Sequence, residues 1–118
     1  MKKFKKISAL ALLLSLSLMV ASSSAIAEGP GGNARKGKFN YRKIYKMCQE
    51  RGEVQSTKPV LNPDAKTQSQ WNRLFEKKDF KDLGCPEEWN ALTEKDLNNI
   101  HAYLYEHAAD SPTPAKCE

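Results

Sequence analysis

Residues 33–49 read Asn33-Ala-Arg-Lys-Gly-Lys-Phe-Asn-Tyr-Arg-Lys-Ile-Tyr-Lys-Met-Cys-Gln49 and carry the clearest helix pattern in the chain. Apolar residues recur at the spacing i, i+3, i+4, i+7, which corresponds to one face of a helix, and the other face is largely basic. Asn33 has a side-chain oxygen of the kind that caps a helix N-terminus. The stretch therefore predicts an amphipathic helix whose apolar face is formed by Tyr41, Ile44, Tyr45 and Cys48.

Gly37 lies inside this predicted helix. Glycine in a helix interior costs about 1 kcal/mol relative to alanine. A glycine at such a position commonly allows another backbone to come close. We therefore expect a second helix to cross the first one at Gly37.

Two further helices are predicted downstream. Residues 67–78 place Trp71, Leu74 and Phe75 on one face at helical spacing. Thr93, with an acidic residue three positions later, forms a variant of the capping box that opens the last helix. The inward face of that helix is expected to consist of Leu97, Ile100, Tyr103, Leu104 and His107.

The N-terminal residues have the pattern of an export signal. Four lysines precede an apolar segment at 7–20, and Ala25-Ile26-Ala27 fits a signal peptidase site. We expect residues 1–27 to be a Sec signal peptide and the mature chain to be periplasmic or secreted. No cysteine follows the apolar segment and no second stretch is long enough to cross a bilayer, so no stable membrane anchor is expected.

The formal charge of +5 overstates the charge of the expected mature chain. Four of the 19 basic residues lie in residues 1–27 and all 14 acidic residues lie after them, which leaves about +1. Nucleic-acid binding therefore loses its main support, and we expect no nucleic-acid partner. The remaining charge is uneven, since residues 28–51 are mostly basic and residues 82–118 mostly acidic. The pattern fits either solvated faces of neighbouring helices or a docking patch for a redox partner.

Together, Gly37, Tyr41 four residues later, Tyr45 and Cys48 resemble the first helix of class I c-type cytochromes. The segment Ile100-His-Ala-Tyr-Leu104 is similar to the terminal helix of the same family. The resemblance implies an all-α, cytochrome c-like domain of three to four helices over residues 34–110, with crossed N- and C-terminal helices. It also implies that Tyr103 packs over Gly37 beside Tyr41. Residues 28–33 would be a flexible lead-in, and residues 111–118 a tail.

The resemblance places a degenerate haem site at the end of the first helix. The family attaches haem through Cys-x-x-Cys-His, whereas this chain has Tyr45-Lys-Met-Cys48-Gln49 and keeps only the second cysteine. The residues expected at the altered site are Cys48, Gln49, Tyr45 and His107. No cofactor is the leading expectation; haem c on a single thioether, or noncovalent haem, is the alternative.

Three cysteines in an exported chain predict one disulfide and one remaining thiol. Connectivity among three possible pairs cannot be read from sequence. We expect Cys85 to pair with Cys117, which would tether the tail and leave Cys48 in its family position. Of the two histidines, His107 follows the inward face of the last helix and His101 is expected to face water.

No nucleophile with a base, phosphate loop or paired acids stand in a recognisable setting, so an enzyme is not expected. The leading hypothesis is an exported cytochrome c-like protein that has lost covalent haem and acts as a periplasmic binding or accessory module, with periplasmic redox proteins as partners. A second hypothesis is a haem-binding electron carrier. A third is metal or small-ligand binding through Cys48 and His107.

Overall fold

The computed structural model describes residues 30–115, and all regular secondary structure in that range is helical. Four α-helices follow one another: α1 Ala34–Glu50, α2 Gln68–Lys77, α3 Pro86–Asn90 and α4 Glu94–Glu106. Short 3-10 turns at Pro63–Ala65 and Lys81–Leu83 lie in the two connections that flank α2. The all-α prediction is confirmed, whereas the expected signal peptide and Cys117 lie outside the described residues.

The helices predicted to start at Asn33 and Thr93 begin at those capping residues, and the helix predicted over residues 67–78 is capped by Thr67. The Asn33 side chain accepts a 2.9 Å hydrogen bond from the backbone N–H of Lys36 at the start of α1. Thr67 and Thr93 form reciprocal capping boxes at the starts of α2 and α4. Gly52 follows α1 with a φ of +89°, a left-handed conformation that favours glycine. Local capping chemistry therefore sets these helix boundaries.

Helices α1 and α4 pack backbone to backbone at Gly37. A Cβ atom on Gly37 would overlap the carbonyl group of Asn99, so only glycine permits this approach. The same asparagine accepts a 2.9 Å hydrogen bond from the backbone N–H of Asn33 through its side-chain oxygen. Gly32 also lies against the α4 backbone, so part of the expected lead-in contacts this helix.

The closest approach at Gly37 is made by the α4 backbone, and the expected packing of Tyr103 over Gly37 stays a prediction. The atoms nearest to the position of a Gly37 Cβ belong to Asn99 and Ile100. Tyr103 packs one turn further along, where its ring centroid lies 6.1 Å from that of Tyr41. The α4 backbone fills the space beside Gly37, and the Tyr103 ring packs beside the Tyr41 ring.

Buried aromatic side chains form the core and also hold the irregular connections. The Tyr41 hydroxyl donates to the carbonyl of Leu61 at 2.6 Å, and the Tyr45 hydroxyl donates to that of Leu83 at 2.8 Å. The Trp71 indole N–H donates to the Pro63 carbonyl, also at 2.8 Å. Each bond satisfies a polar group that would otherwise be costly to bury.

No helix within residues 30–115 combines the length and apolar character needed to span a bilayer.

Candidate functional site

A disulfide joins Cys48 in the last turn of α1 to Cys85 at the start of α3. The S–S distance is 2.08 Å and the Cα atoms lie 5.9 Å apart, within the usual range for a disulfide. Cys48 is 0% and Cys85 1% exposed, so solvent does not reach the bond. A buried bond that closes a 37-residue separation stabilises a small domain mainly by restricting its unfolded chain.

The expected pairing of Cys85 with Cys117 is therefore wrong, and so is the expectation that Cys48 is left unpaired. The fold brings the end of α1 and the start of α3 within bonding distance. Since Cys85 can form only one such bond, it cannot tether the tail. Nothing in the local sequence around Cys48 indicates a partner 37 positions away, because connectivity depends on the tertiary fold.

Arg51 and Glu88 form a two-point ion pair beside the disulfide. Arg51 Nε and Nη2 each donate to a carboxylate oxygen of Glu88 at 2.9 Å. Glu88 is only 9% exposed, and the hydrogen bonds from Arg51 lower the pKa of its carboxyl group below the ordinary value. The pair closes the polar side of the junction between α1 and α3. Neither residue was among the predicted site residues; the available signal was that Arg51 and Glu88 each stand three positions after one of the two bonded cysteines.

The Glu88 carboxylate and the sulfur atoms of Cys48 and Cys85 lie within 4.8 Å of one another, the spacing of a potential metal site. These donors are already engaged, however, since the sulfurs are bonded to each other and the carboxylate is bonded to Arg51. Within residues 30–115 His107 belongs to no such cluster of three candidate ligands. The arrangement stabilises the helix junction and offers no open coordination position.

Tyr45 and Gln49, the other expected haem-site residues on α1, occupy different environments. Tyr45 is buried, its hydroxyl bonds to the Leu83 carbonyl, and burial raises its pKa to about 12. Gln49 is exposed, and its side-chain amide donates to the Gln55 carbonyl at 3.2 Å. Tyr45 therefore belongs to the core, whereas Gln49 belongs to the surface.

His107 is the C-cap residue of α4, and its hydrogen bond is to Thr113, not to the disulfide. Its Nδ1 lies 2.8 Å from the Thr113 carbonyl oxygen, and its ring centroid lies 5.4 Å from that of Tyr103. The side chain is half-buried. It thus joins the end of α4 to the segment that follows, and no bonded contact connects it to Cys48.

We expected His101 to face water, but its side chain is half-buried. Its ring stacks on Phe75 with a centroid distance of 4.6 Å and an interplanar angle of 1°, and its Nε2 lies 2.7 Å from the Asn72 side-chain oxygen. Burial lowers the pKa of His101 to about 4. The spacing of Leu97, His101 and Leu104 is i, i+4, i+7, which was a usable signal for the buried face.

We define the basic groove as the open depression lined by α1, by residues 57–63 and by the end of α4. It has a volume of about 1410 Å³, and its far wall includes Pro59, Tyr103 and His107. Of the expected haem-site residues, Gln49 and His107 line the groove and Tyr45 and Cys48 do not. Its basic side chains are Arg35, Lys38, Arg42, Lys43, Lys46 and Lys58.

Two apolar side chains also line the basic groove. Phe39 is 65% exposed and Met47 is 43% exposed. The sequence shows both residues on the basic side of α1, but helical periodicity alone does not distinguish an exposed apolar side chain from one covered by a loop. The exposure of Phe39 and Met47 therefore emerges only from the fold.

Comparison with protein-family models, curated proteins and solved structures found no match to this chain.

Proposed function

We propose that this protein is an exported, cytochrome c-like protein without covalent haem that acts as a periplasmic binding or accessory module near electron-transfer proteins. The observation that carries the proposal is the bond between Cys48 and Cys85. A thioether to haem requires a free cysteine sulfur, and the sulfur of Cys48 is consumed by the disulfide. The position that resembles a haem attachment site thus serves to hold two helices together.

The other donors at the altered site do not fit an axially ligated haem. Gln49 has an amide in place of an imidazole, and that amide bonds to the Gln55 carbonyl. The candidate replacement, His107, lies at the end of α4, where its Nδ1 bonds to Thr113 and its Nε2 lies 3.7 Å from a carboxylate oxygen of Glu106. Haem proteins depend on strong axial donors such as histidine, methionine or thiolate.

Export is supported by the disulfide as well as by the N-terminal sequence pattern. Disulfides persist in oxidising compartments such as the bacterial periplasm and are rare in the cytosol. The domain expected after signal cleavage is small, and domains of this size commonly need a covalent or metal link in addition to their core. Cys48–Cys85 supplies such a link.

The test is the colour and mass of the protein purified from cells that carry a cytochrome c maturation system. We expect no Soret band and a mass equal to that of the polypeptide beginning at Glu28. An authentic c-type cytochrome produced in the same cells controls for maturation. A Soret band that survives denaturation and acetone extraction would refute the proposal.

Noncovalent haem is the second candidate, because His107 and Gln49 line the same groove. It predicts a coloured protein whose spectrum changes on dithionite reduction and whose colour is lost on acetone extraction. His107→Gln would then shift the Soret band. A colourless protein that also fails to bind added haemin removes this candidate.

A further inference from the structure

The six basic side chains of the basic groove lack ion-pair partners within residues 30–115. The ion pairs of this part of the chain involve Arg51, Lys78 and His107. The groove contains one carboxylate, that of Glu50, against its six cationic groups. Like charges held close together along one helix face raise the free energy of that face. A bound anionic partner would relieve this repulsion.

Phe39 and Met47 add apolar surface to the groove, and simple counter-ions would not make contacts with that surface. Aromatic residues, methionine and arginine are enriched in protein interfaces. Phe39 is 65% exposed and projects from the middle of the basic face of α1. The combination of exposed apolar side chains with unpaired cations fits a partner that carries both carboxylates and a large apolar side chain.

The shape of the surface favours an extended protein segment over a bilayer. The groove is bounded on one side by α1 and on the other by residues around Pro59, Tyr103 and His107. A flat lipid surface would meet the outer side of α1 without entering this depression. From Arg35 to Lys46 the helix rises about 17 Å at 1.5 Å per residue, a length that about five residues of extended chain cover.

We propose that the basic groove docks an acidic, extended segment of a protein partner, anchored by an apolar side chain against Phe39 and Met47. The inference rests on the proposed function as a binding module and specifies the chemistry of the partner. Carboxylates of the segment would pair with Arg42, Lys43 and Lys46. Electrostatic attraction of this kind raises the association rate and fixes the register of the bound chain.

The experiment uses the mature protein and a fluorescein-labelled peptide of about eight residues, glutamates with one central leucine, a length sufficient to span the groove. Binding is measured by fluorescence anisotropy at low and high salt. An all-glutamate peptide tests the apolar anchor. Vesicles of phosphatidylglycerol in phosphatidylcholine and a thymidine oligonucleotide test the two other anionic classes.

Two sets of variants locate the site. The groove variant is Lys43→Gln with Lys46→Gln, and its matched control is Lys77→Gln with Lys95→Gln, which removes the same charge from exposed positions outside the groove. We expect the groove variant to weaken peptide binding about threefold to tenfold. The control variant should bind as the unmodified protein does. Phe39→Ser should remove the preference for the leucine-containing peptide, and circular dichroism checks that each variant is folded.

The proposal is supported if the leucine-containing peptide binds, binding declines as salt rises, and only the groove variants lose affinity. It is overturned if both double variants lose the same affinity for the peptide, or if no binding is seen at about 1 mM peptide. It is also overturned if vesicles or the oligonucleotide bind more tightly than the peptide and the groove variant weakens that binding. If the peptide does not bind, the expected absence of a Soret band is unaffected. If a covalent haem is found, the expected binding of the peptide is unaffected. The two proposals therefore fail separately.

Discussion

A Cβ atom on Gly37 would overlap the backbone carbonyl of Asn99 in α4. The two helices pack more closely here than side chains allow. Tyr41 on α1 and Ile100 on α4 are both buried in the core next to this contact. The stability of the domain should thus be sensitive to a single added methyl group.

Gly37→Ala is expected to lower the free energy of unfolding by about 2 kcal/mol or more, because over-packing a backbone contact outweighs the roughly 1 kcal/mol gained in helix propensity. Urea denaturation followed by circular dichroism measures the change. Gly31→Ala is the matched control, since a Cβ at Gly31 meets nothing within 4 Å. A Gly37→Ala protein as stable as the unmodified one would contradict the close approach of the α4 backbone to Gly37.

Thiol titration should give one reactive thiol in the denatured, unreduced mature protein and three after reduction, because Cys48 and Cys85 are bonded. Cys48→Ala with Cys85→Ala should cost roughly 4 kcal/mol by the loop-closure relation. Cys117→Ser should leave the thermal midpoint unchanged and abolish the single thiol. A large loss of stability in Cys117→Ser alone would instead support the pairing of Cys85 with Cys117.

The Glu88 carboxyl, whose pKa the hydrogen bonds from Arg51 lower from 4.5, contributes stability at pH values above 4.5. This contribution disappears as pH falls through the lowered pKa, because the unfolded state takes up the proton first. Urea midpoints of the unmodified protein and Glu88→Gln should therefore differ at pH 7 and converge toward pH 3. Glu76→Gln, at an exposed position that has no ion pair within residues 30–115, is the control and should show little effect. A constant difference across this range would exclude the ion pair as its source.

Burial lowers the pKa of His101 from 6.5 to about 4, so the folded state holds the imidazole neutral where an unfolded chain protonates it. The contribution of this group is complete above pH 6.5 and declines as pH falls toward about 4. Proton NMR of the imidazole should show the low midpoint, and His107→Gln assigns the signal by removing the other histidine. His101→Phe should flatten the stability profile between pH 7 and 5. A His101 midpoint near 6.5 would show that the ring is open to solvent.

Local features of the sequence predict the helices well, because caps and periodicity act over only a few residues. Asn33, Thr67 and Thr93 each bond to a backbone N–H within three residues, and each begins a helix where predicted. By contrast, α3 lies in a stretch where capping and periodicity predict no helix. It has five residues, opens with Pro86 and is too short to show a helical period.

The features that define the candidate site depend on distant pairs. Cys48 meets Cys85 only after α1 and α3 are placed side by side, and His101 is half-buried because it stacks on Phe75 from another helix. Helical periodicity likewise does not show whether another segment covers Phe39, which the fold leaves 65% exposed. Tertiary packing thus determines what the single sequence leaves open.

The hydroxyl groups of the two buried tyrosines of α1 link the helix to both irregular connections. Tyr41 holds the carbonyl of Leu61 in the first connection, and Tyr45 holds that of Leu83 in the second. If α1 detaches, both connections lose their anchors together. Amide protons in the two loops and in α1 should consequently exchange with solvent in a single cooperative event.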